Sequence, residues 1–132
     1  MTKESLGLKK NEVIVYDSME YAITHKLPFF AGGLGALAGD HTRAASDLMP
    51  ENTLIGIGAF YRLGYLTQRL NPNTNWQEEI YQRVRIERYG EIVKDEKGQD
   101  IVIDMPMPDG NTIYAKAWQV QAGRTTLYFL TT

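Results

Sequence analysis

The sequence has no cysteine. That excludes a disulfide scaffold and any thiolate metal site, and it is compatible with a reducing compartment. It has two histidines, His25 and His41, too few to found a metal centre in the absence of cysteine, so no metal is expected. No apolar run approaches the roughly 20 residues that a membrane-spanning helix needs. The opening stretch MTKESLGLKKNE has no apolar centre of the kind a secretory signal carries. No block of like charge appears, and 14 Lys+Arg against 16 Asp+Glu leave a net charge of −2. Such a balance exerts no general pull on nucleic acid or anionic membrane, so neither is expected as a partner. There is no internal repeat and no low-complexity linker. A soluble cytoplasmic domain is the expectation.

What is present fits one modest domain. The chain has 132 residues, of which 43% are hydrophobic, enough to bury a core. After a polar tail over residues 1–11, three short runs are apolar without alternation: Val13–Tyr16, Leu54–Phe60 and Leu127–Leu130. Runs of this length suit strands of a parallel sheet covered on both faces. Between the first two lies FFAGGLGALAGDHTRAASDLM, Phe29 to Met49. Leu34, Leu37, Ala38, Ala45 and Leu48 fall on one helical stripe there, with Asp40, Arg43 and Asp47 largely off it. Pro50 and Asn52 close the helix. The expected fold class is α/β, with a Rossmann-like strand–helix–strand start over residues 12–64 and a returning parallel strand over 124–132.

Residues 65–123 read differently. Val84 and Ile86 alternate with Arg83, Arg85 and Glu87, and Ile101, Ile103 and Met105 flank Val102 and Asp104. Alternation of this kind predicts antiparallel strands with one wet face. Gly90, Lys97-Gly98, Asp109-Gly110-Asn111 and Ala122-Gly123 supply turns. This stretch is expected as an antiparallel β excursion inserted between the second and third parallel strands.

The candidate for chemistry is Gly32-Gly33-Leu34-Gly35, which opens the helix. A helix N-terminus presents unpaired N–H groups and the positive end of the helix dipole, and glycines let an anion approach the backbone. The pattern is neither G-x-G-x-x-G nor G-x-x-x-x-G-K-[ST], so as a bare pattern a plain tight turn stands beside the anion reading. Asp40 and His41 are adjacent on the helix and do not face each other; His41, on the apolar stripe, is expected as a packed histidine. His25 precedes the glycines and either lines a cleft there or sits on a surface loop. Asp17 and Glu20 follow the first strand, where α/β proteins bind ligands. Glu78 and Glu79 read as a solvated face. Tyr61, Arg62, Tyr65, Gln68 and Arg69 form a polar and aromatic strip suited to sugar or phosphate, or to a half-exposed strand.

Taken as a whole, "YDSMEYAITHKLPFFAGGLGALAGDHTRAASDL", Tyr16 to Leu48, resembles the glycine-loop segment of the α-glucan (glycogen) phosphorylases, of the shorter bacterial and archaeal type. That family reads approximately Y-x-S-M-E, then L-P-x-x-x-G-G-L-G-x-L-A-G-D-H, then A-S-D-L. Ser18, Met19, Glu20, Leu27, Pro28, Gly32 to Gly35, Leu37 to His41 and Ala45 to Leu48 match. "IGIGAFYRLGYLTQRL" followed by "NWQEE" is similar to the family's next strand, and "AKAWQVQAGRTTLYFLTT" resembles its returning strand pair. The resemblance runs from about residue 12 to the end.

It implies the N-terminal half of a GT-B architecture and the cleavage of α-1,4-glucan by inorganic phosphate to α-glucose 1-phosphate, with pyridoxal phosphate as proton relay. By matching, Gly32, Gly33, Leu34 and Gly35 are the expected substrate- and phosphate-binding residues, the N–H groups of Gly33 and Leu34 facing the substrate phosphate and glucosyl unit with Gly32 allowing approach; Glu20 and His25 are possible cleft-lining residues. The cofactor's lysine belongs to the family's C-terminal half, so no cofactor is expected on this chain. A second chain supplying that half, or self-association through an uncovered apolar flank, is expected as partner. Glycogen and starch synthases share the G-G-L-G turn, but with a lysine two residues before it. Phe30 stands there in this chain, which argues against a nucleotide-sugar ligand.

Overall fold

The computed structural model describes all residues, 1–132. It holds one α-helix and eight strands: β1 (Ile14–Asp17), α1 (Gly33–Leu48), β2 (Leu54–Ala59), β3 (Thr67–Leu70), β4 (Gln77–Ile80), β5 (Gly90–Ile92), β6 (Val102–Pro106), β7 (Thr112–Ala122) and β8 (Thr125–Thr131). Six strands form one mixed sheet in the order β1-β2-β8-β7-β5, with β6 also on β7. β1, β2 and β8 run parallel. β5, β6 and β7 are antiparallel, and eleven-residue β7 is long enough to take β6 on its first half and β5 on its second. β3 and β4 form a separate hairpin. The fold is therefore α/β, and its antiparallel part continues the same sheet through the β7–β8 ladder.

Two glycines in β2 create the core. Gly56 and Gly58 lie two apart, so they share one face of the strand. A Cβ at Gly56 would stand 2.3 Å from Leu127, and one at Gly58 would touch the Tyr21 ring at 3.1 Å. Tyr21 fills that slot at 1% exposure, and its hydroxyl donates to the Tyr16 carbonyl at 2.5 Å. Burial pushes that phenol up to about 12, because a phenolate there would lose its water. Phe29 and Phe129 pack against the same cluster, with Phe129 edge-on to both Tyr21 and Phe29.

The helix meets the sheet through small residues, which corrects the expected stripe. Gly35, Ala38, Gly39, Thr42, Ala45 and Ser46 are buried, while Leu34, Leu37 and Leu48 are 53%, 53% and 58% exposed. The reason is close approach: a Cβ at Gly39 would lie 2.5 Å from the Ala22 carbonyl oxygen, so nothing bulky fits beneath the helix. At its other end Arg124, in the β7–β8 turn, donates to the carbonyls of Ser46 and Asp47, each at 2.6 Å, a favourable place for a cation.

Two further expectations are corrected. The parallel strands are covered on one face only, since a single helix supplies a single layer. Val13 and Val15 are 43% and 54% exposed on the other face, beside half-buried Ile55 and Ile57. Val84 and Ile86 do turn inward, at 7% and 1% exposure, yet they form no ladder. The Val84 N–H donates to the Arg62 carbonyl at 2.8 Å instead, and Ile86–Arg88 is a 3-10 turn. No helix is long and apolar enough to cross a membrane, and no group of three or more His, Cys, Asp or Glu side chains converges on one point.

Candidate functional site

The chain reaches α1 through a loop held by one carboxylate. Glu20, just after β1, accepts the Tyr65 hydroxyl at 2.6 Å and the Ala31 N–H at 3.0 Å. The Tyr65 bond first, then the Ala31 N–H and the nearby Gly35 N–H, hold Glu20 below the usual carboxylate range against a small desolvation penalty. The same bond holds the Tyr65 phenol well above its ordinary value. Tyr65 is itself fixed by its N–H on the Pro28 carbonyl at 3.1 Å. A negative charge thus already stands on one side of the helix N-terminus, where the dipole favours it.

The other side is open. Gly32 takes φ +88°, a conformation that L side chains rarely adopt. No side chain caps the helix. The N–H groups of Gly33 and Leu34 fall in its first turn, where no intrahelical acceptor exists. Nothing else in the chain bonds them, and Gly32, Gly33 and Leu34 are all exposed.

The glycines of this turn are there for different reasons. Gly32 needs its positive φ. Gly35 needs space, because a Cβ there would lie 2.3 Å from the Phe30 Cβ. Gly33 needs neither: its φ is ordinary and a Cβ would meet nothing within 4 Å. Each of the other eleven glycines has a positive φ or a Cβ position within 3.0 Å of another atom. The fold alone gives no reason for glycine at 33, the first residue of α1, where alanine would favour the helix by up to about 1 kcal/mol, the figure for an interior position.

The remaining sequence candidates separate. His41 is exposed rather than packed, with Nδ1 3.2 Å from the Tyr16 hydroxyl; its side of the helix lies beyond the small-residue face. His25 is exposed and lines a cavity together with Lys26 and Arg83, apart from the glycines. Asp17 is exposed at the end of β1. Of the polar and aromatic strip, Tyr61 and Tyr65 pack with ring centroids 5.4 Å apart and planes tilted by 49°. Arg62 donates to the Thr132 carbonyl, and Arg69 pairs with Glu78 across the β3–β4 hairpin. The bracing role of Tyr65 has no local signature, since it lies 45 residues from Glu20.

The comparisons with known proteins bear on this turn. The chain is 40% identical over 126 residues to the maltodextrin phosphorylase of Thermococcus litoralis, covering 94% of the chain and 15% of that protein. It is 36% identical over 118 residues to the glycogen phosphorylase of Mycobacterium tuberculosis, covering 89% and 13% respectively. With the glycogen phosphorylase of Aquifex aeolicus it shares 38% identity over 120 residues, 90% of the chain and 17% of the relative. This chain is a homologue of one segment of the α-glucan phosphorylases. It spans less than a fifth of the length of these three relatives. No protein-family profile matches it.

Proposed function

We propose that this chain forms the glycine-loop wall of an α-glucan phosphorylase cleft, with the N–H groups of Gly33 and Leu34 facing the phosphate and the transferred glucosyl unit. The observation that carries this reading is Gly33, a glycine required by neither backbone nor packing, beside two N–H groups without acceptors at a helix N-terminus. A ligand that must approach the backbone closely supplies the missing reason. The homology to glycogen and maltodextrin phosphorylases supports the ligand classes, inorganic phosphate and α-1,4-glucan. The Glu20 carboxylate sets the orientation: it repels an anion from the Ala31 side and leaves the Gly33–Leu34 side as the place for one.

The rest of the cleft comes from polypeptide outside these residues. Pyridoxal phosphate does not fit the residues present, because every lysine is exposed or half-exposed. None is the buried amine that a covalently held cofactor ring requires. In this reading a second chain carries the cofactor, and the segment contributes binding and orientation. The uncovered face with Val13 and Val15 is where such a chain, or a second copy, would bury apolar surface.

The experiment is reconstitution. Mixing the chain with a polypeptide that supplies the cofactor-bearing half should yield α-glucose 1-phosphate from α-glucan and phosphate. Gly33→Ala should lower that yield at least about tenfold with the fold intact. No product under any pairing contradicts the reading. The alternative is a non-catalytic phosphate- or sugar-binding module, or a folded relic. A phosphate and maltooligosaccharide titration that shifts the Gly33 and Leu34 amides while reconstitution fails would favour the module, and a titration that shifts nothing would favour the relic.

A further inference from the structure

The arginines divide into two groups. Arg43 donates to Asp40 and to the carbonyls of Ala22 and Ile23, Arg62 to the Thr132 carbonyl, Arg69 to Glu78, and Arg124 to the carbonyls of Ser46 and Asp47. The other three, Arg83, Arg85 and Arg88, make no ion pair and donate no side-chain hydrogen bond. All three line one cavity of about 350 Å³, and Lys26, equally unpaired, stands in it with them. No aspartate or glutamate lines it. In a chain with more acidic than basic residues, four unpaired cations around one concavity call for an anion.

The walls are held by the core. Val84 and Ile86 turn inward at 7% and 1% exposure, which sets Arg83 and Arg85 outward by alternation. The 3-10 turn at Ile86–Arg88, closed by the Tyr89 N–H on the Ile86 carbonyl at 2.8 Å, brings Arg88 to the same cavity. Across from them, the turn closed by the Leu27 N–H on the Thr24 carbonyl presents Lys26, with Leu27 buried at 2% exposure. Tyr65 and Tyr89 supply aromatic lining. Glu87, on the same turn as Arg88, borders other cavities.

We propose that this cavity binds a small phosphate ester carrying two or more negative charges, gripped by Arg83, Arg85, Arg88 and Lys26. Guanidinium forks match phosphate oxygens two at a time, which distinguishes this site from a diffuse positive surface. The volume admits a metabolite-sized ligand. The net negative charge of the chain and the absence of any continuing basic stripe exclude a nucleic-acid track. Its donors are side chains whereas those of the glycine turn are backbone N–H groups, and the two places share Tyr65, whose hydroxyl braces Glu20.

Pyrophosphate is the probe, titrated into the full chain and followed by amide NMR. Saturable shifts are expected at Lys26, Arg83, Arg85 and Arg88. The double variant R85A/R88A should bind at least about tenfold more weakly, and R85K/R88K should fall between it and the unaltered chain. Both arginine side chains are exposed and unbonded, so both variants should keep the parent spectrum elsewhere. Inorganic phosphate should shift the Gly33 and Leu34 amides equally in both variants, which separates failure of this site from failure of the phosphorylase reading. Unsaturable drift, equal affinity of R85A/R88A and the parent, or tighter capture of a single-stranded oligonucleotide than of pyrophosphate would overturn the proposal.

Discussion

Two places on this molecule present unpaired hydrogen-bond donors to solvent, and they are built in opposite ways. At the glycine turn the donors are backbone N–H groups, and a carboxylate already occupies one flank: Glu20, braced by Tyr65 and Ala31. In the cavity of Arg83, Arg85 and Arg88 the donors are side chains, and no carboxylate lines the wall. The first site has shape and little net charge. The second has charge and a looser shape. Backbone donors are selective because they cannot move, whereas long cations adapt to any ligand of the right charge.

The comparison is tested most severely within the turn itself. Gly35→Ala places a Cβ 2.3 Å from Phe30 and should destabilise the chain by about 2 kcal/mol or more. Gly33→Ala should leave stability unchanged or raise it by up to about 1 kcal/mol. Urea unfolding of the pair checks this, and equal losses would erase the distinction between a packing glycine and a ligand-facing one.

The Glu20 brace comes next. Tyr65→Phe should cost about 1 kcal/mol at neutral pH. The brace also has a pH signature. The folded pKa of Glu20 is depressed, so its contribution is present above the ordinary carboxylate range and is lost as pH falls through the folded value. The folded pKa of Tyr65 is raised from 10.0, so its share is present below that pH and is lost as pH rises beyond it. Stability measured against pH should therefore fall at both ends, and less steeply in Tyr65→Phe. Parallel profiles for the two proteins would show that the bond is not formed in solution.

A comparable effect concerns the opposite end of the parallel strands, beside the C-terminal end of α1. Thr53 is fully buried just before β2 and its hydroxyl has no partner. Thr53→Val should stabilise by about 1 kcal/mol, read as a higher urea midpoint at unchanged slope. Smallest of all, Arg85→Ala should alter stability by less than about 0.5 kcal/mol, since its side chain bonds nothing. A larger loss would make the basic cavity a structural feature.

Legibility in the sequence follows the range of the interactions. Gly32-Gly33-Leu34-Gly35 is a local pattern, and so are the three apolar runs that form β1, β2 and β8. The orientation of α1 is not legible in this way, because a stripe of leucines is ordinarily the buried side. Here contact with the Ala22 backbone admits only small residues, a fact that belongs to another segment. Ile86 shows the right inward periodicity and the wrong element, because its neighbour Val84 bonds the Arg62 carbonyl instead of a strand. The basic cavity joins residues near 26, 65 and 85, and no window on the chain contains them together. The Glu20–Tyr65 brace, 45 residues apart, is hidden for the same reason.

The most direct test of the phosphate-facing glycine turn is a phosphate titration of the parent chain and of the Gly33→Ala variant, followed at the amides of residues 33 and 34. Saturable shifts at both amides are expected in the parent. In Gly33→Ala those shifts should be lost, with undiminished thermal stability. Shifts of equal size and midpoint in the two proteins, or none in the parent, would contradict the assignment of this turn to phosphate.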